Sequence, residues 1–138
     1  MMRSGISLRF VCAVAAAVIL CCCSRPDTYE CFIRSGDAAD GLYEFRCELD
    51  DSLSLYDISF YTATPVLRPL GLEVAWKSPS GGVCLSEKVY MLSDSGRQLY
   101  RSGAGVDEPG EWCISVKPDS TALDFRGLGI ICKRNGTR

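Results

Sequence analysis

Three consecutive cysteines, Cys21 to Cys23, close an apolar segment and carry the most specific chemistry in the sequence. The segment FVCAVAAAVILCCC covers residues 10–23 and follows Arg3 and Arg9, which is the layout of a secretory signal. It is shorter than the roughly 20 apolar residues that a helix needs to cross a bilayer. We therefore expect an export signal and not a membrane span.

The end of this segment resembles the bacterial lipoprotein box, in which a cysteine thiol becomes a thioether to diacylglycerol. The box favours leucine three places before the lipidated cysteine, and Leu20 stands three places before Cys23. Cys22 is the second candidate, and Cys21 is disfavoured because bulky Leu20 would sit at the cleavage point. Each buried methylene adds about 0.8 kcal/mol of membrane affinity. The sequence thus predicts a lipoprotein signal peptide at residues 1–22 and acyl chains, such as palmitate, at the mature N terminus.

Side chains that could catalyse a reaction are scarce. The sequence has no histidine, which excludes Ser-His, Cys-His and His-ligated zinc chemistry. The acidic candidates lie mostly in predicted turns, where carboxylates are expected for solvation and local backbone bonding: Asp50, Asp51, Asp107, Glu108 and Glu111. No DxDxDG calcium loop is present. We expect no catalytic residues, no metal and no cofactor.

Cysteines beyond the leader number five, namely Cys31, Cys47, Cys84, Cys113 and Cys132. No two have the CxxC spacing of a redox pair or a zinc ribbon. Strand phase directs Cys47 and Cys132 inward and Cys84 and Cys113 outward. The first and last strands of a sandwich often lie close, so Cys31, Cys47 and Cys132 are the candidates for one disulfide. Small buried thiols are the alternative, and the pairing stays open.

Two short segments resemble the Asp-Ser/Thr acceptor of Bacteroidetes protein O-glycosylation. They are Asp51-Ser52-Leu53 and Asp119-Ser120-Thr121. Both fall in predicted surface turns, where a glycan would have to lie. Ser52 and Ser120 are therefore the candidate glycosylation sites.

The elements that position these residues follow a hydrophobic period of two. Apolar and polar residues alternate at residues 43–49, 56–61, 70–77, 83–91, 111–117 and 127–132, and residues 98–106 form a weak strand or an ordered loop. No window of about a dozen residues has the helical period. The pattern predicts an all-β domain, a single antiparallel β-sandwich that is jelly-roll or immunoglobulin-like in plan. We expect the first two strands to pair as a hairpin.

The domain plan follows from the same pattern. Residues 23–41 are predicted to hold the lipidated cysteine and a tether with at most one short strand, residues 42–134 the sandwich, and residues 135–138 a polar tail. Trp76 and Trp112 are in phase with core positions, whereas Tyr61 and Tyr100 are the candidate exposed aromatics.

Five segments carry a resemblance to a known family. They are LYEFRCELDDS, LYDISFYTAT, LGLEVAWKSPSGG, GEWCISVKPDS and DFRGLGIICKR, within residues 42–134. This pattern resembles the GldH-like gliding-motility lipoproteins, envelope lipoproteins of the Bacteroidetes. The resemblance implies a non-catalytic β-sandwich associated with gliding or type IX secretion, and it offers no catalytic residues.

Charge and leader together predict location and partners. The formal net charge is −2, and a leader that carries Arg3 and Arg9 would remove two more positive charges. An acidic chain disfavours nucleic acid as a partner. We expect a lipid membrane and envelope proteins as partners, on the outer membrane rather than the inner. Ser24, Arg25 and Pro26 follow the lipidated cysteine in place of the acidic run that can direct such lipoproteins to the cell surface, so a periplasm-facing position is expected. The alternatives are a carbohydrate-binding sandwich and a protease inhibitor.

Overall fold

Strands account for nearly all of the described structure. The computed structural model describes residues 28–50, 54–66, 68–92, 96–119 and 126–137. These residues form eight strands: β1 (Thr28–Arg34), β2 (Tyr43–Leu49), β3 (Ser54–Thr62), β4 (Leu70–Lys77), β5 (Val83–Met91), β6 (Arg97–Ala104), β7 (Gly110–Pro118) and β8 (Gly127–Thr137). A short 3-10 turn, Ser35–Asp37, follows β1. No helix in this part of the chain is long and apolar enough to span a membrane.

The strands form two four-stranded sheets. The first sheet has the order β1-β8-β3-β6 and the second the order β2-β7-β4-β5, with every neighbouring pair antiparallel. The pairs β4–β5, β3–β6, β2–β7 and β1–β8 are nested in the sequence like the two arms of one long hairpin, and they are divided between the two sheets. This is the plan of an eight-stranded jelly roll. It confirms the predicted all-β sandwich and selects the jelly roll over the immunoglobulin-like arrangement.

The core lies between the sheets because each strand buries alternate residues. In β2, Tyr43, Phe45, Cys47 and Leu49 are buried, and the three charged residues between them are exposed. The side chains that are buried most completely come from both sheets, and they include Phe45, Ile58, Phe60, Leu72, Ile114, Leu128 and Ile130. Burial of side chains of this size contributes about 1.5–3 kcal/mol each.

The expected hairpin between the first two sandwich strands is wrong. β2 pairs with β7 in the second sheet, whereas β3 pairs with β6 and β8 in the first. Asp50 stands at the crossing, where its N–H donates to the Tyr56 hydroxyl at 2.8 Å and its carboxylate pairs with Arg134. Alternation identifies the buried face of a strand but does not identify the strand that pairs with it. Two alternating strands bury their apolar faces equally well in one sheet or in two facing sheets.

Both ends of the sandwich extend further than the sequence predicts. β1 lies within the predicted tether, yet all seven of its residues pair with β8. β8 itself continues to Thr137, into the predicted polar tail. Alternation is weak in β1 because apolar Phe32 lies on the outward face between the inward residues Cys31 and Ile33.

Candidate functional site

The best candidate site is the seam between β5 and β6. These strands are consecutive in the chain but are edge strands of different sheets, and neither pairs with the other through its main chain. Side chains bridge the gap instead. We call this region, from Glu87 to Leu92 on β5 and its exit and from Gln98 to Arg101 on β6, the β5–β6 seam.

One bridge is made by the side-chain amide of Gln98. Its Nε2 donates to the Tyr90 carbonyl at 2.8 Å, and its Oε1 accepts from the Leu92 N–H at 2.8 Å. The amide thereby takes the two positions that a neighbouring strand would occupy with its own main chain. Gln98 therefore acts as a latch on the outer edge of β5.

A second bridge centres on Glu87. The Tyr100 hydroxyl donates to the carboxylate of Glu87, and Arg101 binds the same oxygen at 2.5 Å. The Tyr100 hydroxyl also accepts from the indole Nε1 of Trp76 at 3.1 Å. The hydrogen bond from Tyr100 holds the pKa of Glu87 below its usual value, with Arg101 adding to the effect and burial opposing it. Burial, followed by the neighbouring carboxylate, raises the pKa of Tyr100.

A cavity of about 130 Å³ lies in this seam. Its lining residues are Phe60, Leu72, Val89, Tyr90, Met91, Gln98, Leu99 and Tyr100. An apolar cavity of roughly 150 Å³ can hold a benzene ring, so this volume suits one aliphatic or aromatic side chain. Around it lie apolar side chains that are more than half exposed: Tyr90 at 51%, Leu92 at 63% and Leu99 at 54%.

The outer edge of β5 also carries main-chain groups without a neighbouring strand. Alternate residues of a strand direct their N–H and C=O groups to the same side. The bonds of Gln98 to Tyr90 and Leu92 show that this side is the one away from β4. Ser86 and Lys88 therefore direct their main-chain groups there, and within the described residues β5 pairs only with β4.

The three inward cysteines meet at the opposite side of the sandwich. The β1–β8 register puts Tyr29 opposite Cys132 and Cys31 diagonal to it, and Cys47 approaches from the second sheet. All three are free thiols. Burial raises the pKa of Cys132 to about 12 and also raises that of Cys47, with Cys132 and Cys31 adding to the effect on Cys47. The structure thus brings the three disulfide candidates into one corner, and the bridge itself stays a prediction.

The other cysteines and the tryptophans lie as strand phase predicts. Cys84 is exposed and Cys113 is half-buried on the outward face of β7. Trp76 and Trp112 are buried and meet edge to face at 6.1 Å between ring centroids. The Trp112 Nε1 donates to the Glu108 carbonyl at 2.8 Å. Both tryptophans are core residues.

The expected exposure of Tyr100 is wrong. Its ring packs on Phe60, with 5.0 Å between centroids, because β6 turns alternate residues toward the core. Tyr61 is half-buried and stacks on Phe32 at 5.7 Å. The more exposed aromatic is Tyr90, which sequence reasoning missed. Apolar residues on both faces of β5, Leu85 on one and Tyr90 on the other, are the signal that could have identified it as an exposed edge.

The acidic residues are spread over several contacts and do not converge. Glu111 pairs with Arg46 at 3.1 Å, and Glu108 accepts from Ser80 at 3.1 Å. In the part of the chain that the structure describes, no three cysteine or carboxylate side chains are grouped as metal ligands would be. Cys22, Cys23, Ser52 and Ser120, the predicted lipidation and glycosylation sites, lie outside the described residues.

Comparisons with known proteins return two virus structures. No protein-family model and no curated protein matches the chain. The structure of the Gt strain of infectious bursal disease virus has 11% identity and a TM-score of 0.34, over 79% of this chain and 30% of that one. The Gx strain structure has 12% identity and a TM-score of 0.33, over 80% of this chain and 33% of that one. This chain spans about a third of the length of those chains.

Proposed function

We propose that this chain is a lipid-anchored protein of the bacterial cell envelope whose jelly roll is a non-catalytic interaction module. The anchor rests on the sequence, in which Cys23 or Cys22 follows an apolar export segment. The observation that carries the interaction role is the β5–β6 seam, where an edge strand, exposed apolar side chains and a cavity adjoin one another. Exposed apolar surface of this kind favours a protein contact.

A narrower form of the proposal is an accessory role in gliding motility or type IX secretion. It rests on the resemblance to GldH-like lipoproteins within residues 42–134. Under this proposal the domain faces the periplasm from the outer membrane. Protection from protease added to intact cells, and its loss after the outer membrane is opened, tests that orientation.

Replacement of the cysteine triplet tests the anchor. We expect the Cys21→Ser, Cys22→Ser and Cys23→Ser triple variant to leave the detergent-rich phase, because the thioether acceptor is gone. Cys23→Ser alone should have a larger effect than Cys22→Ser, and Cys84→Ser is the matched control with no effect. Retention of the triple variant in the detergent-rich phase contradicts the proposal.

Tyr90 favours a second function, carbohydrate binding. Its ring is 51% exposed, and Lys88 Nζ lies 5.5 Å from the ring centroid, so an aromatic face and a polar group adjoin at the surface. Two results together would select this function over the first. The full chain would bind glycans on an array and Tyr90→Ala would abolish that binding, and chemical cross-linking in intact cells would recover no protein partner.

A further inference from the structure

The outer edge of β5 is symmetric about Val89. Its outward main-chain groups belong to alternate residues within residues 86–92. A register shift near the start of β5 interrupts the strand before Ser86, and Gln98 holds the groups at the other end, which belong to Tyr90 and Leu92. Val89 is the middle residue of this edge, so a strand that pairs with all of it is centred there.

Protection of this edge is weak. Native edges are usually shielded by proline or by charged side chains, above all lysine. β5 contains no proline, and its single lysine is already engaged, because Lys88 pairs with Asp119 at 3.4 Å and lies over the Tyr90 ring. Glu87 is held on the inner face by Arg101. Both charges are thus balanced within the chain and do not repel a second strand.

A second copy of this chain matches the edge when the two are related by a two-fold axis at Val89. In such an antiparallel pair, Lys88 lies directly opposite Tyr90 of the second copy, and the axis repeats this contact. Lys88 already lies 5.5 Å from the centroid of the Tyr90 ring in its own strand, so the two groups are compatible neighbours. The two lysines are diagonal to each other across the axis, and each is balanced by its own Asp119.

Other two-fold registers are less favourable. An axis at Glu87 or at Lys88 sets like charges directly opposite, which is destabilising. An axis at Tyr90 opposes no like charges, but within the described residues it pairs only residues 88–92. The axis at Val89 pairs all of residues 86–92, so it satisfies the longest part of the edge.

The same axis brings the two seam cavities together. Each cavity lies beside Val89 and Met91, so the cavities of the two copies adjoin across the axis. Tyr90 and Leu92, which are 51% and 63% exposed, are partly covered by the second strand. Removal of apolar surface from water favours the contact.

The predicted lipid anchor favours a second copy as the occupant. A two-fold axis that joins two edges into one sheet is perpendicular to that sheet, so the first sheets of both copies lie on the same side of it. β1 belongs to the first sheet, and Cys23 is five residues before Thr28, a span of at most about 18 Å. Both anchors can therefore enter one bilayer. A shared membrane confines copies of this chain to one plane and raises their effective concentration.

We propose that two copies of this chain pair through the outer edges of β5, about a two-fold axis at Val89, and join their second sheets into one continuous sheet. Each Gln98 amide is displaced, and main-chain groups of the second copy replace its bonds to Tyr90 and Leu92. This inference rests on the proposed interaction function, for which it names the partner.

The first test places opposite charges at one exposed position and measures dimerisation of the full, lipid-anchored chain in detergent by analytical ultracentrifugation. Tyr90→Glu sets a carboxylate opposite Lys88 of the second copy, whereas Tyr90→Lys sets a like charge there. Because each dimer contains two such pairs, Tyr90→Glu should dimerise about tenfold more tightly than Tyr90→Lys. An axis at Tyr90 would instead oppose like charges in both variants. Glu44→Lys, on the exposed face of β2, is the control for a change in net charge.

The second test reports the register in intact cells. In the proposed pair the two Val89 residues face each other without main-chain bonds, with Cα atoms about 4.5 Å apart, which is within the range of a disulfide. We expect Val89→Cys to give a disulfide-linked dimer on addition of an oxidant, and Glu44→Cys to give none. Both variants carry Cys84→Ser, which removes the exposed native thiol. A photo-reactive residue in place of Ser86 captures any protein that lies on the edge.

A monomeric full chain, equal dimerisation of the two Tyr90 variants or the absence of a Val89→Cys dimer would each overturn the pairing of two copies. A cross-link from Ser86 to a different protein alone would also overturn it, while leaving the interaction function in place. The absence of both a dimer and any protein cross-link at Ser86 overturns the interaction function itself.

Discussion

Removal of the Tyr100 hydroxyl is the sharpest test of the seam. Tyr100→Phe keeps the ring that packs on Phe60 but removes the acceptor of the Trp76 indole N–H and the donor to Glu87. Trp76 is only 6% exposed, so its N–H would be left without that partner in a place that water hardly reaches. A buried donor left unsatisfied costs about 1–3 kcal/mol.

The expected loss of unfolding free energy is therefore about 2 kcal/mol, since Arg101 still neutralises Glu87. For a domain of this size that corresponds to a fall in Tm of roughly 10 °C. Urea unfolding of the full chain in detergent, followed by tryptophan fluorescence, measures the change because both tryptophans lie in the core. Tyr90→Phe is the matched control, as its ring is half exposed and its change should stay within about 0.5 kcal/mol. Equal midpoints for the two variants would refute the assigned role of the Tyr100 hydroxyl.

Three further outcomes follow from the same contacts. The folded-state pKa of Glu87 is depressed, so its stabilising contribution is present above its ordinary pKa and is lost as pH falls through the lower folded value. Glu87→Gln should therefore flatten the acid limb of a curve of unfolding free energy against pH. Gly129→Ala should destabilise the domain by about 1–3 kcal/mol in urea unfolding, because a Cβ there meets the Tyr61 ring, whereas Gly36→Ala meets nothing within 4 Å and should be near neutral. Iodoacetamide should modify exposed Cys84 in the folded protein and Cys47 only after unfolding, as followed by mass spectrometry; a mass gain that requires reductant would instead reveal a disulfide.

Much of the fold could be predicted from alternation. The burial of Phe45 and Cys47 in β2, and of Trp76 and Trp112, follows from a period of two, because successive side chains of a strand point to opposite faces. The seam could not be predicted in the same way. Gln98 is six residues from Leu92, and its sequence context is that of an ordinary polar residue. Its side chain bonds to the edge of β5 only because β5 and β6 belong to different sheets.

The sequence by itself determines the class of the domain and the candidate anchor, since strand periodicity and the apolar segment before Cys23 are local patterns in neighbouring residues. Only the tertiary structure decides which strands are neighbours. It separates β2 from β3, brings β1 beside β8, gathers Cys31, Cys47 and Cys132 in one corner and leaves β5 as an edge. The physical reason is that each strand must bury one face and pair its main chain, and several arrangements meet both requirements locally. Packing of the whole core selects one of them.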